Sequence, residues 1–145
     1  MPIDARRCQD LEQALSLEWL ETNGRGGYAS GTVAGANTRR YHALLLVARH
    51  PPVDRVVLVN HLEEVVEIAG QAMPLSTNLY SGAVHPEGYQ YCAAFSVDPW
   101  PTWQYAGHGI RLVRELLCLH GRDLVIVRRS EEHTSELQSL TNLVC

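Results

Sequence analysis

The glycine-rich segment NGRGGYASG, residues 23–31, is the stretch whose composition most resembles a site for an anion. Backbone N–H groups beside an arginine hold a phosphate when a helix follows and points its N-terminus at the anion. The residues that follow, YASGTVAGANT, favour a strand instead, and the chain contains no lysine. A nucleotide site is therefore disfavoured. Two alternatives remain: a tight turn that needs positive φ, and a close approach of the backbone to a ligand or to another domain.

A second polar segment, NTRRYH at residues 37–42, leads into the apolar run that ends at Ala48. Two arginines next to an apolar run are costly to bury without partners. In a structural interpretation, one arginine is solvated and the other forms an ion pair with Glu18, Glu21, Glu63 or Glu64. In a functional interpretation, Arg39, Arg40 and His42 line a polar cleft or a domain interface.

Aromatic residues are concentrated between Tyr80 and Tyr105, where PWPTW places Trp100 and Trp103 on a rigid stretch. Aromatic faces provide platforms for sugar rings, which makes both tryptophans candidate ligand contacts. For any single aromatic residue, however, a place in the core or at its end is the favoured alternative.

Other chemistries have little support. The net charge of −4 does not indicate a nucleic-acid partner. No apolar run is long enough for a membrane span and the N-terminus has no apolar signal core, which favours a cytoplasmic protein. We expect neither a metal nor a cofactor, because the histidines form no HxH or HExxH pattern. The cysteines form no CxxC pattern, so we expect free thiols at Cys8, Cys92, Cys118 and Cys145.

No pair of carboxylates has the spacing of a general acid and a general base. Glu63 and Glu64 are adjacent, so in a strand they would point to opposite faces. At most one of them would face the core, where Arg39 or Arg40 would be a reasonable partner.

The elements that must position these residues are mostly strands. Only residues 4–16 carry apolar residues at helical spacing, so the N-terminal segment 1–16 is expected to hold a short helix. Further on, short apolar or alternating runs are separated by Gly and Pro turns, with hairpin turns expected at residues 69–71 and 121–122. This pattern predicts a mainly β protein, an antiparallel β-sandwich.

Together these segments resemble the opening of the bacterial and archaeal type of glycogen debranching enzyme, the amylo-α-1,6-glucosidase family. The resemblance is carried by EWLETNGRGGYASGTVAGANTRRYHALLLVA at residues 18–48. It continues in order through PPVDRVVLVNHLEE, LSTNLYSGAVHPEGYQY, DPWPTWQY and HGRDLVIVR. Two positions depart from the family pattern, which usually has glycine at Ala43 and often phenylalanine at Trp100.

The resemblance implies a β-sandwich of the glucoamylase-like N-terminal supersandwich type. In the parent enzyme it precedes an (α/α)6 catalytic domain that hydrolyses α-1,6-glucosidic branch points in glycogen and related α-glucans. The catalytic carboxylates belong to that barrel, so this chain holds none and is expected to be inactive alone. Residues that match the family's signature, together with the two tryptophans, are expected to bind α-glucan or to contact the catalytic domain: Asn23, Gly24, Gly26, Gly27, Tyr28, Thr38, Arg39, Arg40, Tyr41, His42, Trp100 and Trp103.

The end of the chain has a different character. Residues 129–139, RSEEHTSELQS, agree in frame with the translation of a widely used sequencing adapter. We therefore predict a sandwich domain over residues 17–128 and a non-native, disordered tail over residues 129–145. If the natural chain is cut there, the sheet is incomplete at an edge that further residues would pair. The alternatives to an enzyme fragment are a stand-alone carbohydrate-binding module and a purely structural β domain.

Overall fold

The computed structural model describes the backbone of residues 1–132 and 139–144 and the side chains of residues 1–132. The N-terminal segment holds strand β1 (Ile3–Asp4) and two helices, α1 (Ala5–Cys8) and α2 (Leu11–Ser16). Each helix begins after an aspartate that caps it: Asp4 accepts from the N–H of Arg7, and Asp10 from that of Gln13. The predicted helix is present, but it is divided in two because Asp10 starts a second one.

A four-stranded antiparallel sheet follows, with the order β2-β3-β4-β5. Its strands are β2 (Glu18–Thr22), β3 (Tyr28–Thr32), β4 (Ala43–His50) and β5 (Val53–Val59). β4 is buried from Ala43 to Ala48, as predicted for a strand covered on both faces. Ala43 fits the start of β4 without strain, because the described non-glycine residues with positive φ are Asp54, Ala69 and His108.

The rest of the chain forms two hairpins and a second sheet. The hairpins pair β6 (Val65–Ile68) with β7 (Gln71–Pro74) and β8 (Thr77–Tyr80) with β9 (Ala83–Glu87). After a 3-10 helix (Gly88–Tyr91) come β10 (Cys92–Ser96), β11 (Thr102–Gly107), β12 (Ile110–Cys118), β13 (Val125–Glu132) and β14 (Ser139–Val144). The six-stranded sheet has the order β1-β10-β11-β12-β13-β14. Both predicted turns are hairpin turns, with positive φ at Gly70 and Gly121.

The two sheets enclose one hydrophobic core, so the predicted antiparallel β-sandwich is confirmed. Trp103 lies at its centre with 2% of its surface exposed. Its ring meets Trp19 of the other sheet edge-on at 5.5 Å and Phe95 at 4.9 Å, and its indole N–H donates to the carbonyl of Val33 at 3.0 Å. The prediction that Trp103 contacts a ligand is therefore wrong, because this tryptophan joins the two sheets. Trp100 is half-buried and donates to Glu115 at 3.0 Å.

A buried ion cluster fastens the chain before β6 to the large sheet. Arg114 and Arg129 are cross-strand partners on β12 and β13, and both bind the carboxylate of Glu64. Their side chains are 11% and 16% exposed and that of Glu64 is 9% exposed, so the shared carboxylate attracts both arginines and offsets part of their mutual repulsion, although it compensates only one of their two positive charges. The expectation that Arg39 or Arg40 would pair with the inward glutamate is thus wrong, since distant strands supply its partners.

The structure also corrects part of the prediction for the tail. β13 continues through Arg129 to Glu132, and β14 pairs with β13 from Ile126 to Glu131. Disorder is therefore wrong for residues 129–132 and 139–144, and β14 covers the edge expected to be open. Agreement with a translated adapter carries no information about backbone conformation. The origin of the tail stays a prediction, and residues 133–138 and 145 lie outside the described residues.

Two further expectations concern thiols and membranes. Cys8, Cys92 and Cys118 are free, as predicted, and the first two are buried. Cys145 lies outside the described residues. Within the part of the chain that the structure describes, no helix has the length and apolar character needed to cross a membrane.

Two neighbouring arginines test whether Arg129 belongs to the fold. Arg129→Ala is expected to lower the free energy of unfolding by about 2–3 kcal/mol, because it leaves the buried Glu64 with one partner. Arg128→Ala is the matched control: its ion pair with Glu115 is 46% exposed on the arginine side, so its loss should cost less than about 1 kcal/mol. Urea unfolding of both variants measures the difference. Equal losses of unfolding free energy would show that the contact of Arg129 with Glu64 does not stabilise the fold.

Candidate functional site

A groove lies on the outer face of the four-stranded sheet, where β2 and β3 turn alternate side chains away from the core. Leu20 and Ser30 are cross-strand partners on that face, as are Thr22 and Tyr28. The groove, here called the Glu18 groove, has a volume of about 690 Å³. It is lined by Glu18, Trp19, Leu20, Thr22, Tyr28, Ser30, Tyr41, His42, Leu46 and Arg55.

The carboxylate of Glu18 holds the loop of residues 37–42 over this face. Its Oε1 accepts from Arg39 Nε at 2.6 Å and lies 2.7 Å from His42 Nε2. His42 Nδ1 accepts from the backbone N–H groups of Thr38 at 3.0 Å and Arg39 at 3.1 Å. Because Nδ1 accepts, the neutral ring carries its proton on Nε2 and donates it to Glu18. Both ring nitrogens of this 3% exposed histidine are thus used inside the domain, and His42 positions the loop.

The charge on Glu18 is fixed by the same contacts. Hydrogen bonds from Arg39 first, and from His42 second, hold the pKa of Glu18 below its ordinary value. A carboxyl group that stays ionised cannot protonate a leaving group. Burial raises the pKa of Glu21, but its odd spacing from Glu18 on β2 turns it to the opposite face. The groove therefore lacks an acid–base pair of carboxylates.

The remaining surface of the groove is largely apolar. Leu20 is 60% exposed and Tyr41 54% exposed, beside the ring of Tyr28, whose hydroxyl donates to the carbonyl of Tyr41 at 3.0 Å. Ser30 is 7% exposed, and its hydroxyl has no hydrogen-bond partner among the described residues. An exposed apolar concavity with a buried, unpaired hydroxyl is typical of a surface that another molecule or domain covers.

The structure brings together some of the predicted site residues and separates others. Tyr28, Tyr41 and His42 line the Glu18 groove, and Thr38 and Arg39 hold its loop. Arg40 is exposed and has no partner among the residues described, so the structural interpretation of the arginine pair holds. The glycine-rich residues lie at the other end of the β2–β3 hairpin, and the two tryptophans lie outside the groove.

The glycine-rich residues form a junction of turns, here called the Asn23 loop (residues 23–27). Asn23 is fully buried: its Oδ1 accepts from the N–H groups of Arg25 at 2.8 Å and Gly27 at 3.0 Å, and its Nδ2 donates to Asp123 at 3.1 Å. Its carbonyl accepts from Gly121 at 2.6 Å. The buried amide thus ties the β2–β3 turn to the β12–β13 turn.

Close packing explains the glycines of the Asn23 loop. A Cβ on Gly27 would lie 2.6 Å from the carbonyl oxygen of Leu46, and one on Gly26, whose φ is +89°, would lie 2.8 Å from that of Pro52. The loop leads into strand β3 rather than a helix, so it lacks the helix N-terminus that a phosphate loop needs. The glycines bring three turns of one domain together, and the nucleotide interpretation has no structural support.

Several groove residues were missed from the sequence. Leu20, Ser30, Leu46 and Arg55 come from four strands, and only the alternation of β2 signals that Glu18 and Leu20 share an outward face. The described residues contain no group of three or more His, Cys, Asp or Glu side chains arranged to hold a metal ion.

Swapped substitutions test the buried junction. Asn23→Ala should lower the free energy of unfolding by about 3 kcal/mol, because it leaves buried backbone donors without an acceptor. Asn23→Asp keeps the acceptor, but it should also lower the free energy of unfolding because it places a second carboxylate against that of Asp123. Adding Asp123→Asn restores a donor and should recover much of that loss in urea unfolding. Failure of this rescue would contradict the assigned contact.

Acid sensitivity tests the link from Glu18 to the loop. Since the folded pKa of Glu18 lies below its ordinary value of 4.5, its contribution to stability is present above that value and is lost as the pH falls through the folded pKa. The Glu18→Gln variant should therefore have a lower free energy of unfolding than the parent at neutral pH. This gap between the two free energies should close on acidification. Glu67→Gln, at an exposed position, is the control and should show no comparable gap. A gap that does not depend on pH would contradict the ionic link.

Comparison with known proteins identifies related sequences at the family level. The family model described as "Glycogen debranching enzyme N terminal" matches residues 17–138. This range covers the Glu18 groove and the Asn23 loop, and it continues beyond Arg128. No curated protein and no solved structure matches the chain.

Proposed function

The chain belongs to the glycogen debranching enzyme N-terminal family, and on this premise we propose that it is the accessory domain of an enzyme that hydrolyses α-1,6-glucosidic branch points. The family match over most of the chain carries this proposal. The parent enzyme is of the bacterial and archaeal type, and its catalytic domain is an (α/α)6 barrel, as the resemblance of residues 18–48 implies.

The accessory role agrees with the carboxylates of the groove. Inverting hydrolysis of a glycosidic bond needs an acid and a base with carboxyl groups roughly 6.5–9.5 Å apart. Glu18 is the carboxylate that lines the Glu18 groove, and it is held ionised by Arg39 and His42. The catalytic pair is therefore contributed by the catalytic domain, and this chain alone is inactive on branch points.

The Glu18 groove is the surface that meets the catalytic domain. Leu20 and Tyr41 provide exposed apolar area, which favours contact with an apolar partner surface. Arg55 lies in the groove, so a facing carboxylate or carbonyl would complete the contact. The loop of residues 37–42 is held from below by Glu18, which keeps Tyr41 presented for docking.

Two exposed apolar residues of similar accessibility allow a matched test. The 145-residue chain is mixed with the separately produced catalytic part of a debranching enzyme of this type, and binding is measured by titration calorimetry. Leu20→Glu, in the groove, should weaken binding at least about tenfold, because it puts a charge into an apolar contact. Val97→Glu is the control: Val97 is 56% exposed, against 60% for Leu20, and lies outside the groove.

Equal binding by the two variants would contradict the proposed interface. The accessory role has a separate test, since the isolated chain should release no glucose from an α-1,6-branched limit dextrin. Glucose release by the chain alone, repeated with independent preparations, would overturn that role.

A further inference from the structure

A small polar pocket lies beside the loop of residues 37–42 and is used by neither the groove nor the core. Its volume is about 240 Å³. Three separate parts of the chain supply its polar and aromatic side chains: the start of the loop, the segment after β5, and strand β8. These residues define the Asn78 pocket: Asn37, Asn60, His61, Glu63, Asn78 and Tyr80.

Hydrogen bonds within the pocket orient its polar groups. Asn78 Nδ2 donates to Glu63 Oε1 at 2.5 Å, and His61 Nε2 lies 2.8 Å from the same oxygen. Asn37 Nδ2 donates to the side-chain oxygen of Asn60 at 3.1 Å. Within the described part of the chain, Glu63 Oε2 and the side-chain oxygen of Asn78 have no hydrogen bond. The pocket thus presents fixed acceptors and further amide N–H donors at its surface.

The charge of the pocket selects against anions. Hydrogen bonds from Asn78 first, and from His61 second, lower the pKa of Glu63, so this carboxylate is ionised at neutral pH. No arginine lines the pocket. An ionised carboxylate accepts strong hydrogen bonds from hydroxyl groups and repels phosphates and carboxylates. A neutral ligand rich in hydroxyl groups fits these groups.

The size and the apolar surface of the pocket narrow the class of ligand further. At about 240 Å³, the pocket is smaller than the roughly 300–1,000 Å³ typical of pockets for drug-sized ligands, so it suits one sugar ring better than a nucleotide. Tyr80 is 62% exposed and Leu79 41% exposed at its edge. A tyrosine ring beside amide and carboxylate groups offers a stacking face together with hydrogen-bonding partners.

We propose that the Asn78 pocket binds one glucosyl unit of an α-glucan chain, with Glu63 and Asn78 bonded to sugar hydroxyls and Tyr80 against the ring. This site rests on the proposed function for its choice of glucan, but it is separate from the Glu18 groove. Asn37 opens the loop whose other end, His42, lines the groove, so a glucan held here lies beside the proposed interface.

Titration of the 145-residue chain with maltoheptaose tests the site, with amide chemical shifts as the readout. The parent chain should show saturable binding at millimolar sugar. Asn78→Ala and Tyr80→Ala should each weaken it at least about tenfold, because the first removes a hydrogen-bonding amide and the donor that orients Glu63, and the second removes the stacked ring. Val97→Ala is the control, because Val97 is 56% exposed, close to the 62% of Tyr80, and lies outside both the pocket and the groove, so it should bind as the parent does.

Three outcomes would overturn the proposed sugar site: no saturable binding of maltoheptaose by the parent chain, equal loss of affinity in Val97→Ala and Tyr80→Ala, or tighter binding of inorganic phosphate than of the sugar. Urea unfolding of each variant separates loss of the site from loss of the fold. Failure of the pocket is distinguishable from failure of the interface, because Tyr80→Ala should leave association with the catalytic part unchanged while Leu20→Glu weakens it.

Discussion

One carboxylate oxygen, Glu18 Oε1, is the contact on which the outer face of the four-stranded sheet depends. It receives the guanidinium of Arg39 and the imidazole N–H of His42, and His42 in turn holds two backbone N–H groups of its own loop. Together with the hydrogen bond from the Tyr28 hydroxyl to the carbonyl of Tyr41, this contact holds the loop over β2 and β3 and keeps Tyr41 at the groove. A polar residue at the start of a strand thereby organises an apolar surface.

Much of the architecture is predictable from local sequence, because the signals involved are local. The strand after NGRGG is predictable from Tyr, Thr and Val, and it alone excludes a phosphate loop. The hairpin at residues 69–71 follows from a glycine between two alternating runs, and the buried β4 from its unbroken apolar run. The arginine pair is also resolved as one of its stated alternatives, since Arg39 binds Glu18 and Arg40 is exposed.

The rest depends on contacts between distant residues, which local patterns do not encode. Glu64 finds Arg114 and Arg129 because β12 and β13 pair in a register that sets those arginines side by side. Trp103 resembles a sugar platform in sequence, but β11 turns it into the core against Trp19. The Asn78 pocket draws on three segments, and each contributes polar residues that are ordinary for a surface turn. The proposed sugar site follows from the shared location of these residues, and their types alone do not indicate it.

Hydrogen exchange of the backbone amides gives the most direct test of the claim that the Glu18 groove is a docking surface. The measurement compares the 145-residue chain alone with the same sequence joined to the catalytic part of a debranching enzyme, the partner proposed above. If the groove docks on the catalytic part, amide exchange should be slower in the joined form for residues 38–42, whose loop covers the groove, and for the exposed strand β5, whose Arg55 lines it. Unchanged exchange in both segments, together with slowing on the outer face of the six-stranded sheet, would show that the Glu18 groove is not the docking surface and would place the interface on the opposite side of the sandwich.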